Sequence, residues 1–96
     1  MDEKPTFRID GAAFSDLEGF YDEIESEMTA GRPWGRNLAA LDELLRGEGD
    51  PLPREFRLIW EHADLSRRRL GAEGEGSFIE LVELIARHPN VELELS

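Results

Sequence analysis

The sequence predicts an α/β domain in which a small three-stranded parallel sheet packs with about four helices. Three short segments have the alternating or apolar patterns of strands, and most of the chain between them places apolar residues at helical steps of three and four. Strands that are joined through crossover helices pair in parallel. Because 96 residues leave room for one modest core, we predict a single domain over residues 1–96.

The first strand and the first helix are predicted at the start of the chain. Thr6–Asp10 alternates polar and apolar residues and ends at a glycine, as a short strand does. A helix should run from about Ser15 to Thr29, because Ser15 and Glu18 have the spacing of a capping box. The outer face of this helix is expected to be solvated and carries Asp22, Glu23, Glu25 and Glu27.

A second helix is predicted to begin at Asn37, whose side chain can cap the first turn, and to end at Gly47. At roughly 100° per residue, its apolar and polar residues separate onto two sides. The apolar side holds Leu38, Leu41, Leu44 and Leu45, and the other side or its margin holds Ala39, Asp42, Glu43 and Arg46. Glu43 is therefore expected to face solvent.

The second strand is predicted at Glu55–Glu61, which is more apolar than the first and fits a position covered on both faces. A short helix should follow from about His62 to Leu70 and contains three consecutive arginines. Residues Gly71–Gly76 are expected to form a flexible acidic loop.

The last helix and the last strand complete the predicted sheet. Ser77 and Glu80 form another capping box and open a helix that ends at residues 88–90. Its predicted buried stripe is Phe78, Leu81, Val82 and Ile85. Val91–Leu95 alternates strictly, which predicts a strand with one buried face and one wet face.

The composition is strongly acidic and limits the possible partners. Twenty-two Asp and Glu residues against eleven Lys and Arg give a formal net charge of -11. Such a surface repels phosphate backbones and attracts cationic proteins, so direct binding to nucleic acid is disfavoured. Solubility alone is the alternative explanation of the charge.

Cysteine usage and hydropathy indicate a cytoplasmic protein. The chain contains no cysteine, which excludes disulfides, thiolate metal sites and a cysteine nucleophile. The N-terminus lacks an apolar signal region, and no run approaches the roughly 20 apolar residues that span a bilayer. We therefore expect no membrane association.

The titratable residues do not form a motif typical of an enzyme. Acids are too numerous for any pair to stand out as a catalytic dyad, and His62 and His88 belong to no metal-ligand pattern. We expect His62 to start a helix and His88 to sit at a helix C-terminus. Arg67–Arg69 is expected to pair with carboxylates or to form a solvated edge. The prediction is a protein that is not an enzyme and binds no cofactor and no metal.

One segment, Trp34–Leu45, resembles the signature of the barstar family of intracellular ribonuclease inhibitors. It reads WGRNLAALDELL and combines an aromatic residue, a glycine, a helix cap and an acid at fixed offsets. The opening strand, the Pro-Leu after the second helix and the closing strand ending in Leu95-Ser96 follow in the same order as in that family. The resemblance therefore covers nearly the whole chain.

The resemblance implies an inhibitor of a basic, barnase-like microbial ribonuclease, which the second helix and the preceding turn would plug. Glu43 matches the chief inhibitory acid of the family, one methylene longer than the aspartate of its best-known member. Trp34 matches an aromatic residue of the turn, whereas Pro33 replaces a second aromatic residue and Ala39 replaces another acid. The candidate partner-binding residues are Trp34, Gly35, Arg36, Asn37, Leu38, Ala39, Asp42, Glu43, Arg46 and Glu83.

Several alternatives remain open from the sequence. The acid of the last helix that matches the family interface is Glu83, or Glu80 if the alignment shifts. Glu43 can instead form an exposed ion pair with Arg46, as Glu83 can with the arginine four residues later. Trp34 can be an exposed anchor or fold back onto the helix. An acidic binding module for another cationic protein, such as a different toxin nuclease, is the second hypothesis, and the free protein is expected to be a monomer.

Overall fold

The computed structural model describes residues 4–48 and 51–96. The elements in this part of the chain are β1 (Thr6–Asp10), α1 (Leu17–Glu27), α2 (Leu38–Leu45), β2 (Phe56–Glu61), α3 (Ala63–Leu70), α4 (Phe78–Ala86) and β3 (Val91–Leu95). The strand order is β1-β2-β3, and both neighbouring pairs are parallel. The predicted parallel sheet with four helices is thereby confirmed. None of the helices described is long and apolar enough to cross a membrane.

The central strand β2 packs into the core on one face, whereas Arg57 on the other face is exposed and Glu61 is partly exposed, so the prediction that both faces are covered holds only at Ile59. Leu58 and Trp60 point into the main core and are fully buried. Ile59 lies on the opposite face and is 6% exposed. Two ion pairs flank it there, Arg8 with Glu61 and Arg57 with Glu92. Because the register puts these side chains beside Ile59, their aliphatic stems shield it, and no helix is needed on that face.

Trp60 is the largest side chain of the core and organises the aromatic residues around it. The ring centroids of Phe14, Phe20 and Phe78 lie 6.2, 5.3 and 5.1 Å from that of Trp60. The indole Nε1 of Trp60 donates a hydrogen bond of 2.9 Å to the hydroxyl of Ser66, which is fully buried on α3. The one polar atom of this indole is therefore satisfied inside the core.

Helix α1 begins later than the sequence predicts, because a different residue caps it. The Asp16 carboxylate, not Ser15, accepts a hydrogen bond of 2.8 Å from the amide of Gly19. Aspartate and serine cap helices about equally well, so the sequence pattern did not separate them. At its other end the helix stops at Glu27, two residues before the predicted end at Thr29.

The outer face of α1 is less solvated than predicted. Glu23 accepts a hydrogen bond of 2.8 Å from the amide of Asp10, which ties α1 to the end of β1. Asp22 and Glu25 lie 2.6 and 3.6 Å from the guanidinium of Arg36. These three acids hold neighbouring segments in place, which charge patterning alone does not reveal.

Helices α3 and α4 start near their predicted positions. His62 precedes α3 in the left-handed conformation, with φ 54°. Ser77 caps α4 by accepting a hydrogen bond from the Glu80 amide. On α4, Val82 is only partly buried and Leu84 replaces it in the buried stripe, since α4 packs against α2, α3 and β3 on that side. The Gly71–Gly76 loop is closed by a hydrogen bond of 2.9 Å from the Phe78 amide to the Gly71 carbonyl.

The arginine triplet of α3 is exposed, which agrees with the predicted solvated edge, and none of its members forms an ion pair with a carboxylate that the structure describes. The guanidinium of Arg67 lies over the ring of Phe78, 5.8 Å from its centroid. Arg69 donates hydrogen bonds to two main-chain carbonyls that precede α1. Two members of the triplet therefore tie α3 to its neighbours.

Candidate partner-binding surface

The turn before α2 depends on two residues with positive φ, Gly35 at 95° and Arg36 at 53°. A side chain at Gly35 would place its Cβ 2.8 Å from the Cβ of Ala40, closer than carbon atoms approach. Glycine is thus required there on both conformational and steric grounds. Arg36 has a β-carbon and adopts the left-handed conformation at a cost, so other contacts must hold it.

Those contacts come from α1. One guanidinium nitrogen of Arg36 lies 2.6 Å from the Asp22 carboxylate and 3.4 Å from that of Glu18, and the other lies 3.6 Å from Glu25. The hydrogen bond with Asp22 is the main cause of the raised pKa of Arg36. Arg36, a predicted partner-binding residue, therefore serves to fasten the turn to α1.

Asn37 caps α2 as predicted. Its side-chain oxygen accepts a hydrogen bond of 2.7 Å from the Ala40 amide. The helical phasing is also confirmed, because Leu41 and Leu45 are fully buried and Leu38 and Leu44 are partly buried. Ala39 and Glu43 are exposed on the opposite side. The turn and the cap together fix where this exposed side begins.

Asp42, at the margin of α2, is engaged within the molecule. One of its carboxylate oxygens lies 2.9 Å from Nε2 of His88, and the other lies 3.6 Å from Arg46. The alternative ion pair of Glu43 with Arg46 is not observed, since Arg46 pairs with the acid four residues before it. Sequence reasoning missed His88 as a partner, because no local pattern relates residues 46 positions apart.

The turn after α4 also holds the C-terminal end of α2. The side-chain amide of Asn90 donates hydrogen bonds of 2.9 and 3.3 Å to the carbonyls of Leu45 and Arg46. These carbonyls belong to the last turn of α2, where helical partners are lacking. Together with the pair between His88 and Asp42, this contact sets α2 against α4.

The two candidate acids of α4 differ in their contacts. Glu80 is partly buried, and its carboxylate accepts a hydrogen bond from the Gly76 amide. Glu83 is exposed and forms no ion pair with any residue that the structure describes, so the alternative pairing with Arg87 is not observed. Glu83 is therefore the acid of α4 that is available to a partner.

Trp34 folds back onto the protein, which settles the question left open by the sequence. Its ring packs edge-on against Tyr21, with centroids 5.4 Å apart and planes at 77°. The indole Nε1 is buried, yet no acceptor within residues 4–48 and 51–96 lies within hydrogen-bonding distance. A buried N–H without a partner is uncommon in native proteins.

Glu43 lies on a groove of about 350 Å³ that opens beside α2. The groove is lined by Pro33 and Trp34 from the turn, by Ala40, Glu43 and Leu44 from α2, and by Glu48 from the segment that follows. Glu43 and Glu48 are both exposed, and neither forms an ion pair with a described residue. Sequence reasoning found Glu43 but missed Glu48, which lies beyond the helix and outside the matching motif.

A second polar cluster lies at the carboxyl ends of β1 and β2. Nδ1 of His62 lies 2.7 Å from the Asp10 carboxylate. The hydrogen bond from the Ala12 amide, followed by that from His62, holds the pKa of Asp10 below its usual value. In the described ranges, no group of three or more histidine and acidic side chains is arranged to bind a metal ion.

Comparison with known protein families identifies a match over nearly the whole chain. The model of the family described as Barstar (barnase inhibitor) matches residues 4–94. No curated protein matches the chain. The matched region contains every strand and helix described above except the last residue of β3, Leu95, and it includes the turn, α2 and α4 that form the candidate surface.

Proposed function

Because the chain belongs to the barstar family, we propose that it inhibits a basic ribonuclease by placing α2 and the preceding turn over the active site of that enzyme. The observation that carries this proposal is the state of Glu43. It is an exposed carboxylate on α2 with which no described residue pairs, and by its resemblance to the family signature it matches the chief inhibitory acid. A carboxylate in this state can take the place of a substrate phosphate among basic side chains of an enzyme.

The contacts around α2 support this role by limiting motion of the surface. The turn is fastened by Arg36, the helix is capped by Asn37, and the other end is held by His88 and Asn90. A surface that is ordered before binding loses less conformational entropy on association. We therefore assign Gly35, Arg36, Asn37, Asp42 and Arg46 to positioning of the inhibitory surface.

Contact with the ribonuclease falls in this proposal to Trp34, Leu38, Ala39, Glu43 and Glu83. The net charge of -11 would steer a basic enzyme toward this surface, an effect for which barnase and barstar themselves are the standard example. The proposed complex contains one copy of each protein, and the free chain is a monomer. As an antitoxin it would act in the cytoplasm, where it protects the RNA of the cell that makes the nuclease.

Inhibition of purified barnase tests the proposal directly. The wild-type chain should suppress RNA cleavage stoichiometrically, with an association rate that falls as salt rises. Glu43→Ala should weaken binding by about 2 kcal/mol or more, the scale of a hot-spot residue, for which a barstar acid is itself a standard example. Glu94→Ala is the matched control, because Glu94 is an exposed glutamate on β3 that has no ion pair in the described part of the chain.

The outcome that contradicts the proposal is equally plain. If barnase and related basic ribonucleases retain full activity at micromolar concentrations of the chain, inhibition of this enzyme class is wrong. If inhibition occurs but Glu43→Ala and Glu94→Ala behave alike, the surface has been placed incorrectly. Circular dichroism of each variant separates loss of binding from loss of folding.

A second candidate function is an acidic binding module for a different cationic protein, such as another toxin nuclease. Pro33 and Ala39 favour it, because they stand where the family signature has an aromatic residue and an acid. Capture of binding proteins from a lysate, with the Glu43→Ala variant as the control bait, separates the two functions. Recovery of a basic protein without ribonuclease activity would support the second.

A further inference from the structure

We propose that the groove beside Glu43 receives one arginine side chain of the partner protein, and that Glu48 supplies the second carboxylate that binds it. The inference rests on the proposed function only for the identity of the protein that carries this arginine. Its physical basis is the combination of an apolar lining with two unpaired carboxylates in one groove.

The lining suits the stem of a long side chain. Pro33, Trp34, Ala40 and Leu44 present carbon-rich surface on the turn and on α2. The groove volume of about 350 Å³ lies near the lower limit of small-molecule sites, which run from roughly 300 Å³ upward. One extended side chain therefore fits this space better than a bulky ligand does.

The charges in the groove select a cation. Among the described residues that line the groove, Glu43 and Glu48 contribute two negative charges and Arg32 contributes one positive charge. These described residues sum to one negative charge, and the net charge of the whole chain is -11. An anionic group would be repelled, whereas a cation gains two carboxylate acceptors that are not engaged by any described side chain.

Arginine fits this set of contacts better than lysine. A guanidinium is planar, more weakly hydrated than an ammonium ion, and can bind one carboxylate with two parallel hydrogen bonds. It also stacks favourably on an indole, and Trp34 lines this groove. The presence of an aromatic ring and of two separate carboxylates therefore points to a guanidinium.

This arrangement also gives a reason for the alanine at position 39. Ala39 lies one helical turn before Glu43 and carries no charge, whereas Glu48 lies beyond the C-terminal end of α2. The second acid of the surface is therefore displaced from the start of α2 to the segment after it.

The first test measures the two glutamates against barnase. Glu48→Gln should raise the Kd for barnase at least about fivefold, because a loss of affinity of that size distinguishes a residue that contacts the partner from one that does not. Glu94→Gln, the matched control, should change Kd by less than about twofold. The double variant Glu43→Gln/Glu48→Gln should lose less than the sum of the single losses, since both acids bind one group. If barnase is inhibited and Glu48→Gln equals the control, the inference is wrong.

The second test does not depend on the ribonuclease. N-acetylarginine amide is titrated into the free protein and followed by the two indole N–H resonances, with N-acetylcitrulline amide as the uncharged control. The arginine compound should shift the Trp34 resonance and leave that of Trp60 unchanged, and the shift should shrink in Glu48→Gln. If the chain fails to inhibit barnase but the arginine compound still shifts the Trp34 resonance, the proposed function is wrong and the arginine site stands. Equal shifts with both compounds, or no shift at Trp34, would refute the arginine site.

Discussion

The two tryptophans provide a test of how much a buried polar atom without a hydrogen-bond partner lowers the free energy of unfolding of this protein. Trp34 Nε1 is buried without an acceptor among the described residues, whereas Trp60 Nε1 is bonded to Ser66. Trp34→Phe removes an N–H that carries a desolvation penalty of about 1–3 kcal/mol. It also removes part of an apolar surface that is only partly buried, so the two effects offset each other.

The expected change in the free energy of unfolding for Trp34→Phe is therefore within about 1 kcal/mol of zero. Trp60→Phe should cost about 2–4 kcal/mol, because it leaves a cavity at a fully buried position and deprives the Ser66 hydroxyl of its partner. The predicted contrast between the two substitutions is thus at least about 1 kcal/mol and centres near 3 kcal/mol.

Urea denaturation followed by far-ultraviolet circular dichroism measures both variants without relying on tryptophan fluorescence. Equal m-values are required for the comparison of midpoints. A loss for Trp34→Phe as large as that for Trp60→Phe would refute the reasoning, since it would mean that the indole N–H is hydrogen-bonded in solution. If Trp34→Phe is neutral for folding, its effect on Kd reports directly on contact with the partner.

Two further predictions concern the backbone and the pH dependence of stability. Gly47→Ala should cost about 2 kcal/mol or more in urea denaturation, because Gly47 has φ 63° and its new Cβ would collide with the carbonyl of Pro53. Gly31→Ala is the control, because Gly31 has φ 85° but open space around it, so this substitution measures only the cost of the positive φ, about 1 kcal/mol. If both variants lose the same free energy of unfolding, the structure has relieved the collision at Gly47. In the folded protein the pKa of Asp10 is lowered, chiefly by the hydrogen bond from the Ala12 amide. The ionised carboxylate therefore stabilises the fold at pH values above its unfolded pKa of about 3.9. This stabilisation is lost as the pH falls through the lower folded pKa. Asp10→Asn should therefore reduce the free energy of unfolding at pH 7, and this reduction should shrink as the pH falls through the lowered folded pKa of Asp10. A reduction that is independent of pH would contradict this assignment.

Local sequence patterns predicted the elements of this fold well, because caps and periodicity act over a few residues. Asn37 and Ser77 cap their helices as the sequence indicated, and the alternation of Val91–Leu95 produced a strand. The error at α1 also has a local cause, since Ser15 and Asp16 are adjacent and are comparable caps. The choice between them depends on the path of the preceding chain.

The contacts that shape the candidate surface were not predictable in the same way. Arg36 binds α1 residues up to 18 positions away, and Asp42 binds His88 across 46 positions. A pattern of charges with 22 acids allows many such pairs, and only the tertiary arrangement selects among them. Glu48 was missed for a related reason, because its place beside Glu43 depends on the path of the chain after α2.

The internal pairing of acids decides which charges the surface can offer to a partner. Asp22 is bound to Arg36, and Asp42 is bound to His88 and Arg46, so a cation from outside would have to displace these contacts before it could use either carboxylate. Glu43 and Glu48 carry no such cost. The net charge of -11 can therefore accelerate encounter with any basic protein, whereas the arrangement of the unpaired acids beside Trp34 decides which encounter lasts. The choice of partner should therefore change whenever this surface gains an acid, loses one or pairs one internally. Ala39 is a position that has lost an acid relative to the family signature, and Glu48 is an acid at a position outside that signature.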